Sequence, residues 1–380
     1  MDAIRFPPPP RSDRAEALRR EVRAFLAEAL ADMPPRRRIE SWMGFDPAFS
    51  RKLGERGWIG MTWPKAYGGE ARSAAERYVV LEELLAVGAP VAAHWIAARQ
   101  SGPLILAHGS EAQKSRLLPL IAAGELYVCI GMSEPDAGSD LASVRTRAEP
   151  TADGYRVNGT KLWTTNAHRS HFMILLCRTG PGTGREGLSQ LLVDLATPGI
   201  RINPIEDMAG QRHFNEVVFE DVLLAPTALI GEEGRGWAQA MAELSLERSG
   251  PERFLSTYPL LAELVHILGG QPSEAAAAAV GRLAAHLVTL RHLSRSVAAM
   301  IDEGEDPALQ AALVKDLGAS FEQEIAEVAR SVAAVEPSMA ASSEFSAALA
   351  YALLSAPSFS LRGGTREILR GIIARGLGLR

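Results

Sequence analysis

Two short segments carry residues that could bind a polar ligand, and the first is MSEPDAGSDLASV (132–144). It follows a predicted strand and presents Ser133 and Ser139 together with several backbone N–H groups. Such a cluster suits a phosphate or the polar edge of an aromatic ring. A plain polar loop, turned at Pro135 and Gly138, explains the same composition, so the residues alone leave both interpretations open.

The second segment is NGTKLWTTNA (158–167), which is predicted to be a strand. Trp163 and Thr165 are two residues apart, so they would lie on one face of that strand. An indole beside a hydroxyl could flank a flat cofactor. An ordinary half-buried strand would contain the same residues, and that alternative also stays open here.

A third segment, SLRGGTREILRGII (360–373), opens the last predicted helix. Gly363 and Gly364 would let the backbone approach a large group where a Cβ atom would collide. Thr365 is a candidate N-cap, and Ile368, Leu369, Ile372 and Ile373 would give the helix an apolar face. A simple turn before an amphipathic helix would need no ligand.

Several common sites are missing from the sequence. There is no P-loop, no strand–GxGxxG–helix unit and no G-x-S-x-G motif, which argues against these nucleotide sites and the simplest hydrolases. His168 and His171 lie three residues apart without a third ligand nearby, so we expect surface or hydrogen-bonding histidines and no metal site.

The order of elements is helical, then β, then helical. We predict an N-terminal helical domain over 1–124, a β-sandwich-like domain over 125–232 and a C-terminal helical bundle over 233–380. Asn158-Gly159 is predicted to be a hairpin turn. Helices are predicted over 13–32, 46–57 and 73–88, and strands over 125–133, 155–165, 172–179, 189–195 and 215–224.

Composition narrows the protein class. A net charge of −5 argues against a nucleic-acid-binding protein. Cys129 and Cys177 each lie in an apolar run, which favours buried free thiols and a reducing compartment. No segment approaches the ~20 apolar residues that span a bilayer. We therefore expect a cytoplasmic protein.

The segments quoted above resemble signatures of the acyl-CoA dehydrogenase family, in the same order and spacing. Further likenesses are GWIGMTWPKAYGG (57–69), GSEAQKSRLLPLIAAGE (109–125), HFNEVVFEDVLL (213–224) and LIGEEGRGW (229–237). The resemblance covers nearly the whole chain. It implies the family's fold, FAD as cofactor, a role in fatty acid or lipid catabolism, and a divergent, bacterial-type member.

Site residues follow from that resemblance by position. Met132 and Ser133 would meet the flavin ring, and Trp163 and Thr165 would line its other edge. Ser139 would approach the pyrophosphate end of the CoA thioester. The resemblance implies FAD contacts at Met132, Ser133, Gly138, Ser139, Trp163, Thr165, Thr365 and Glu367, and substrate contacts at Ser139, Arg248, Gly363 and Gly364.

The family's reaction removes a proton beside the thioester carbonyl and a hydride from the next carbon. Many members place the carboxylate base immediately before Gly-Thr, where this chain has Gly363. Others place it on a helix similar to ELSLERSG (243–250), where Glu247 holds the matching position. Glu247 would lie on the flank of an apolar face formed by Trp237, Met241 and Leu244. Glu243, one turn earlier, is the reserve candidate.

The chain also lacks the R-x-x-F-G segment with which many members reach the FAD of a neighbouring subunit. We expect a homo- or hetero-oligomer that oxidises an acyl-CoA and passes electrons to an electron-transfer flavoprotein. A catalytically silent subunit of a mixed oligomer is the main alternative, and reaction of reduced flavin with oxygen is another. Straight, branched, cyclic and steroid acyl groups all remain open.

Overall fold

The computed structural model describes residues 4–9, 12–182, 184–247 and 250–379, and over 244–247 it describes the backbone alone. In chain order the helices and strands are α1 Asp13–Ala29, α2 Pro35–Arg38, α3 Pro47–Glu55, α4 Ala74–Ala86, α5 Ala92–Ile96, a π-helical turn Ala97–Ser101, α6 Gly102–His108, α7 Glu111–Ala122, β1 Val128–Gly131, β2 Arg147–Thr151, β3 Gly154–Lys161, β4 Phe172–Arg178, β5 Leu188–Asp194, β6 Ile200–Ile205, β7 Phe214–Leu224, α8 Gly236–Glu247, α9 Tyr258–Leu268, α10 Glu274–Asp302, α11 Ala308–Val332, α12 Glu344–Phe359 and α13 Arg366–Gly376.

The elements form two compact units. The first unit contains α1, α2, α4 and the helices from α9 onward, and the second contains α3, α5 to α8 and the sheet. The predicted order of helical, β and helical segments is confirmed, and the three domain boundaries remain a prediction. None of the described helices is both long and apolar enough to cross a bilayer.

In the first unit, α11 packs against α9, α10, α12 and α13. A buried ion-pair network joins α1, α4 and α10. Arg19 donates hydrogen bonds to Glu82 and Glu83, and Arg291 donates to Glu82 at 2.6 Å. Burial alone would raise the pKa of Glu82, but Arg291 and Arg19 outweigh burial and hold that pKa below its usual value. The network fixes these three helices to one another.

The second unit is built on a seven-stranded sheet with the order β1–β4–β2–β3–β7–β6, and β5 pairs with β4. β1 and β4 are parallel, whereas β3 and β7 are antiparallel. Its core is a cluster of inward-facing apolar side chains. Among them are Val157, Met173, Leu175, Val217 and Phe219.

Most predicted elements are confirmed, with ends shifted by a few residues. The helix predicted over 73–88 is α4, with a capping box at Ser73 and Gly88 just past its end at φ 71°. Two strands were missed. β2 (RAEPT) is mostly exposed, and β6 (IRINPI) pairs with β7 alone and contains a proline, so neither carries a buried apolar run.

The predicted hairpin turn at Asn158-Gly159 is wrong. These residues lie inside β3, where the register with β7 shifts between Val157 and Gly159. The Asn158 side chain bonds to Asp221 across this bulge, through its amide N–H and its oxygen. A Cβ on Gly159 would lie 2.7 Å from the Thr146 Cα, so close packing and the bulge explain this glycine.

Candidate active site

A cleft opens in the second unit where β1 and β3 end. Its volume is about 160 Å³. Four of the residues that the sequence analysis assigned to a cofactor line it together, so the structure brings the two quoted segments to one place. The lining residues are Ile96, Gln100, Ile130, Met132, Ser133, Leu162, Trp163 and Thr165.

The loop after β1 is held by a buried ion pair that the sequence analysis missed. The fully buried Lys161 Nζ donates to the Met132 carbonyl at 2.9 Å and to Glu134 Oε1 at 2.8 Å. The Glu134 carboxylate also accepts the backbone N–H groups of Arg145 (2.6 Å) and Thr146 (2.9 Å). The pair therefore fixes Met132 and Ser133 against the end of β3.

The electrostatics of this pair follow from burial and mutual attraction. Burial by itself would raise the pKa of Glu134, but Lys161 and the hydrogen-bond donors around the carboxylate hold that pKa below its usual value. Burial lowers the pKa of Lys161, and the Glu134 charge opposes that change. A signal was present in the sequence, because Lys161 follows Tyr155 and Val157 on a strand whose alternate residues face inward.

Trp163 and Thr165 do not lie on a strand, which corrects the prediction. β3 ends at Lys161, and both Trp163 (φ 59°) and Asn166 (φ 55°) adopt left-handed backbone conformations. This conformation is common for asparagine but unfavourable for tryptophan, and such strained residues cluster at functional sites. The bend turns the indole outward, so that Trp163 is 56% exposed while it lines the cleft.

Asn215 on β7 holds this bend. Its carbonyl accepts the Thr164 N–H at 3.0 Å, and its side-chain amide donates to the Thr164 carbonyl at 2.9 Å. Its side-chain oxygen lies 2.9 Å from His168 Nδ1. Asn215 is completely buried, so these bonds face no competition from solvent.

The two histidines have structural roles. His168 bonds Asn215 as described, and His171 Nδ1 accepts the Tyr127 N–H at 3.0 Å. Among the described residues, no three potential ligands lie close enough together to hold a metal. Cys129 and Cys177 are buried free thiols, as predicted, and burial raises the pKa of each to about 12.

Gly138 and Ser139 are exposed, and neither belongs to the residues that line the cleft. A Cβ built on Gly138 meets no atom within 4 Å. Packing within the loop therefore does not require glycine at position 138. The assignment of both residues to a cofactor or substrate stays a prediction.

In the first unit, the turn that precedes α13 is held by Arg362. The guanidinium donates to Glu322 and to Ser256, both at 2.7 Å. It also lies 4.5 Å from the ring centroids of Trp42 and Phe359. This combination of a buried ion pair and cation–π contacts fixes the backbone immediately before Gly363.

Gly363 and Gly364 have φ values of 68° and 97°, and Thr365 caps α13 as predicted. A Cβ on Gly363 would approach the Arg253 guanidinium to 2.9 Å. Arg253 is 2% exposed. The backbone angle favours glycine at 363, and a Cβ there would displace the guanidinium of this buried arginine, with or without a ligand.

The closing helix differs from the prediction on one point. Leu369 alone among its described residues is buried, and Ile368 is 41% exposed. Most of the predicted apolar face is therefore not buried by this chain. Glu367 is exposed at the first turn, where backbone N–H groups and Thr365 lower its pKa.

Helix α8 carries both candidate bases. Trp237 and Met241 pack against a small apolar cluster of the second unit, as predicted for the apolar face. Glu243 is 5% exposed, and Gln190 on β5 donates an amide N–H to it at 3.4 Å. Glu247 is the last residue of the helix. Its side chain, that of Leu244 and the whole of Arg248 lie outside the described residues.

The family of this chain is shown by comparison with known proteins. Models of the N-terminal, middle and C-terminal domains of acyl-CoA dehydrogenases match residues 12–125, 129–222 and 272–378. FadE29 of Mycobacterium tuberculosis is 36% identical over 67% of this chain and 66% of its own length. IpdE1 of Mycolicibacterium smegmatis is 32% identical over 87% of this chain and 88% of its own length.

Solved structures of similar proteins have the same fold. The ChsE4–ChsE5 complex of Mycobacterium tuberculosis has a TM-score of 0.85 at 30% identity and covers 99% of this chain and 100% of the matched chain. The Tcur3481–Tcur3483 steroid ACAD has a TM-score of 0.85 at 26% identity and covers 98% of this chain and 99% of the matched chain.

The sequence matches span only part of several relatives. For FadE29, IpdE1, FadE34 and FadE26 of Mycobacterium tuberculosis, the match covers 66%, 63%, 48% and 60% of the length of the relative.

The cleft fits the ring of the cofactor that this family uses. Trp163 provides an exposed aromatic surface, and Ser133, Thr165 and Gln100 provide polar groups for a heteroaromatic edge. A volume of about 160 Å³ is below the usual size of a whole ligand site, so this cleft suits the ring system and not the entire dinucleotide. By its three matched domains and its fold, the chain belongs to the acyl-CoA dehydrogenase family of FAD-dependent oxidoreductases.

Proposed function

We propose that this chain is an acyl-CoA dehydrogenase that converts an acyl-CoA thioester to the 2-enoyl-CoA and passes the electrons to an electron-transfer flavoprotein. The observation that supports this most is the cleft itself. Met132, Ser133, Trp163 and Thr165 come from two separate segments, and the fold brings them together around one opening. The exposed indole of Trp163 is the surface that a flat ring would cover.

In this proposal each group of the chain has one task. The loop fixed by Lys161 and Glu134 binds one part of the ring, and the bend fixed by Asn215 supplies Trp163 and Thr165. These residues would hold FAD, which would supply the acceptor for the hydride that leaves the β-carbon of the substrate.

The proton from the α-carbon goes to a carboxylate, and we assign that role to Glu247. A base for this step works best when burial raises its pKa toward the working pH. Glu243 is the reserve candidate, but its carboxylate already accepts the Gln190 amide.

The remaining assigned residues would act on the thioester and the cofactor. The backbone N–H of Gly363 would donate to the thioester carbonyl, whose oxygen gains charge as the α-proton leaves. Gly364 would leave room for the substrate. Ser139 and Arg248 are proposed to contact the CoA portion, and Gly138, Thr365 and Glu367 the FAD.

The test is anaerobic bleaching of the flavin absorbance by a panel of acyl-CoA thioesters. Because one similar structure is described as a steroid ACAD, the panel includes thioesters with steroid side chains beside straight and branched ones. A yellow protein that one class of thioester bleaches supports the proposal. A yellow protein that no thioester bleaches, alone or with a partner subunit, would refute it. Oxygen uptake in air distinguishes an oxidase from a dehydrogenase.

A second candidate function is that of a silent subunit in a mixed oligomer. Two observations favour it: glycine occupies position 363, where many members carry the base, and two similar structures are complexes of two named proteins. Expressing the chain alone and together with a paralogue separates the two. Colourless protein alone and active yellow protein with the paralogue supports the silent subunit.

We also propose that the protein works in the cytoplasm, because Cys129 and Cys177 are both free thiols. Cell fractionation with an antibody against the chain tests this. Recovery in a secreted or membrane fraction would contradict it.

A further inference from the structure

The helix that borders the cleft is interrupted by a π-helical turn. α5 ends at Ile96, Ala97–Ser101 forms the π-turn, and α6 resumes at Gly102. A π-turn inserts one residue into the helix, and such turns are frequent at functional sites. The inserted residue changes the direction in which the following side chains point from the helix axis, relative to an uninterrupted α-helix.

Contacts on both sides hold this turn in place. His94, which precedes it, is buried, and its Nδ1 lies 2.8 Å from the Ser50 hydroxyl. Gly102, which follows it, packs so tightly on the Trp63 ring that a Cβ would lie 2.3 Å from a ring atom. The Arg99 guanidinium lies 5.2 Å from the Trp95 ring centroid. The helix therefore cannot shift by one residue to remove the insertion.

The consequence is the placement of Gln100 in the lining of the cleft. Gln100 is half-buried, beside Ile96 and near Leu162, and it lines the same cleft as Ser133 and Trp163. Its amide carries two donor hydrogens and an acceptor oxygen. Within the described part of the chain, no group hydrogen-bonds to this amide.

We propose that Gln100 is a cofactor-binding residue whose amide hydrogen-bonds the polar edge of the flavin ring. The inference rests on the proposed function, because it requires the ring to occupy this cleft. A long polar side chain with no protein partner, held by a π-turn against apolar neighbours, gains its hydrogen bonds from the ligand. No other residue of the turn offers a side-chain amide to the cleft.

The test is a comparison of Gln100→Leu with the wild-type chain, with Gln271→Leu as the matched control at an exposed position. Apoprotein is titrated with FAD, and the flavin spectrum and reduction potential are measured. We expect Gln100→Leu to weaken FAD binding by about three- to tenfold, the effect of one hydrogen bond, and to shift the flavin absorbance. Gln271→Leu should change neither.

Gln100→Glu provides an independent readout. A carboxylate beside the ring disfavours the gain of electrons, so the reduction potential of the bound flavin should become more negative. Tight FAD binding with the same spectrum and potential in both Gln100 variants and the wild type would overturn this inference alone. A wild-type chain that binds no FAD would overturn the proposed function and the inference together.

Discussion

Replacing Lys161 with methionine is the sharpest test of how the cleft is built. Methionine keeps most of the length of the side chain but removes the charge. Glu134 would then be a buried carboxylate without its cation, since both side chains are at most 7% exposed. The Met132 carbonyl would also lose the donor that holds it at 2.9 Å.

The size of the effect follows from burial. Removing one partner of a buried ion pair costs about 3–5 kcal/mol, because the remaining charge has no compensation. A domain is stable by about 5–15 kcal/mol, so the loss is a large share of the free energy of unfolding. Changing Glu134 to glutamine as well removes the stranded charge and keeps an acceptor oxygen for one of the two N–H groups, of Arg145 and Thr146, that bond the carboxylate. The double variant should therefore recover about 2 kcal/mol.

The assay is urea unfolding, followed by far-ultraviolet circular dichroism and by tryptophan fluorescence. The matched control is Arg201→Met. Arg201 pairs with Glu220 at 2.6 Å, but both side chains are more than half exposed, so this variant should unfold like the wild type. FAD titration gives a second readout, because only Lys161→Met disturbs Met132 and Ser133.

Two results would refute this reasoning. Lys161→Met could unfold at the wild-type urea concentration, which would mean that the carboxylate is not stranded. Alternatively, the double variant could be no more stable than Lys161→Met, which would mean that the stranded charge is not the cause.

Three further predictions concern single positions. Gly363→Ala should lower the free energy of unfolding by about 2–4 kcal/mol, and Gly304→Ala should lower it by only about 1–2 kcal/mol. Both glycines have positive φ (68° and 77°), but only position 363 faces a buried guanidinium. Equal shifts of the urea midpoint in the two variants would contradict this. Asn215→Ala should cost about 2–3 kcal/mol and weaken FAD binding, because Asn215 is completely buried. Asn203→Ala should do neither, because Asn203 is exposed where its amide bonds Glu216. FAD titration and urea unfolding check both variants. Burial lowers the pKa of His94 to about 3, so between pH 6.5 and pH 3 the unfolded chain binds a proton at this histidine and the folded chain does not. The free energy of unfolding should therefore be unaffected by His94 above pH 6.5 and should decrease as the pH falls toward 3. A His94→Gln variant with the wild-type pH dependence of stability would refute this.

The sequence predicted the fold well where local signals agree with burial. α4 illustrates this, because a serine cap, an apolar run and a glycine stop all indicate the same helix. The run that became β4 is apolar up to Arg178, and β5 contains a short apolar run between Gln190 and Asp194, so both could be read as buried strands. β2 was missed because its residues are those of an exposed segment, and its pairing with β3 and β4 makes it a strand.

Part of the lining of the cleft was predictable from the sequence, but its geometry was not. Met132, Ser133, Trp163 and Thr165 were identified from the two segments, and they line one cleft. The bend at Trp163 was not predictable, because its φ of 59° is imposed by Asn215, which lies some fifty residues further along the chain. The hydrogen bonds from Asn215 thus override the local preference of this segment for a strand.

The supporting residues were missed for the same reason. Asn215 and Arg362 look like ordinary polar residues in the sequence, and Lys161 was marked only by its inward position on β3. The importance of all three lies in partners that are distant along the chain. Gln100 depends on a π-turn, for which the sequence has no local signature. Gly363 was assigned to a close approach of the backbone to a large group, but the structure supplies a reason within the protein, the Arg253 guanidinium, that the sequence did not indicate.

The measurement that tests the central claim most directly is single-turnover reduction of the bound flavin by a thioester that the wild type oxidises, in Glu247→Gln and in Glu243→Gln. Both variants should retain FAD. We predict that Glu247→Gln is not bleached within the time in which the wild type is fully reduced, and that Glu243→Gln is bleached. Bleaching of Glu247→Gln at the wild-type rate would contradict the assignment of the base to the end of α8.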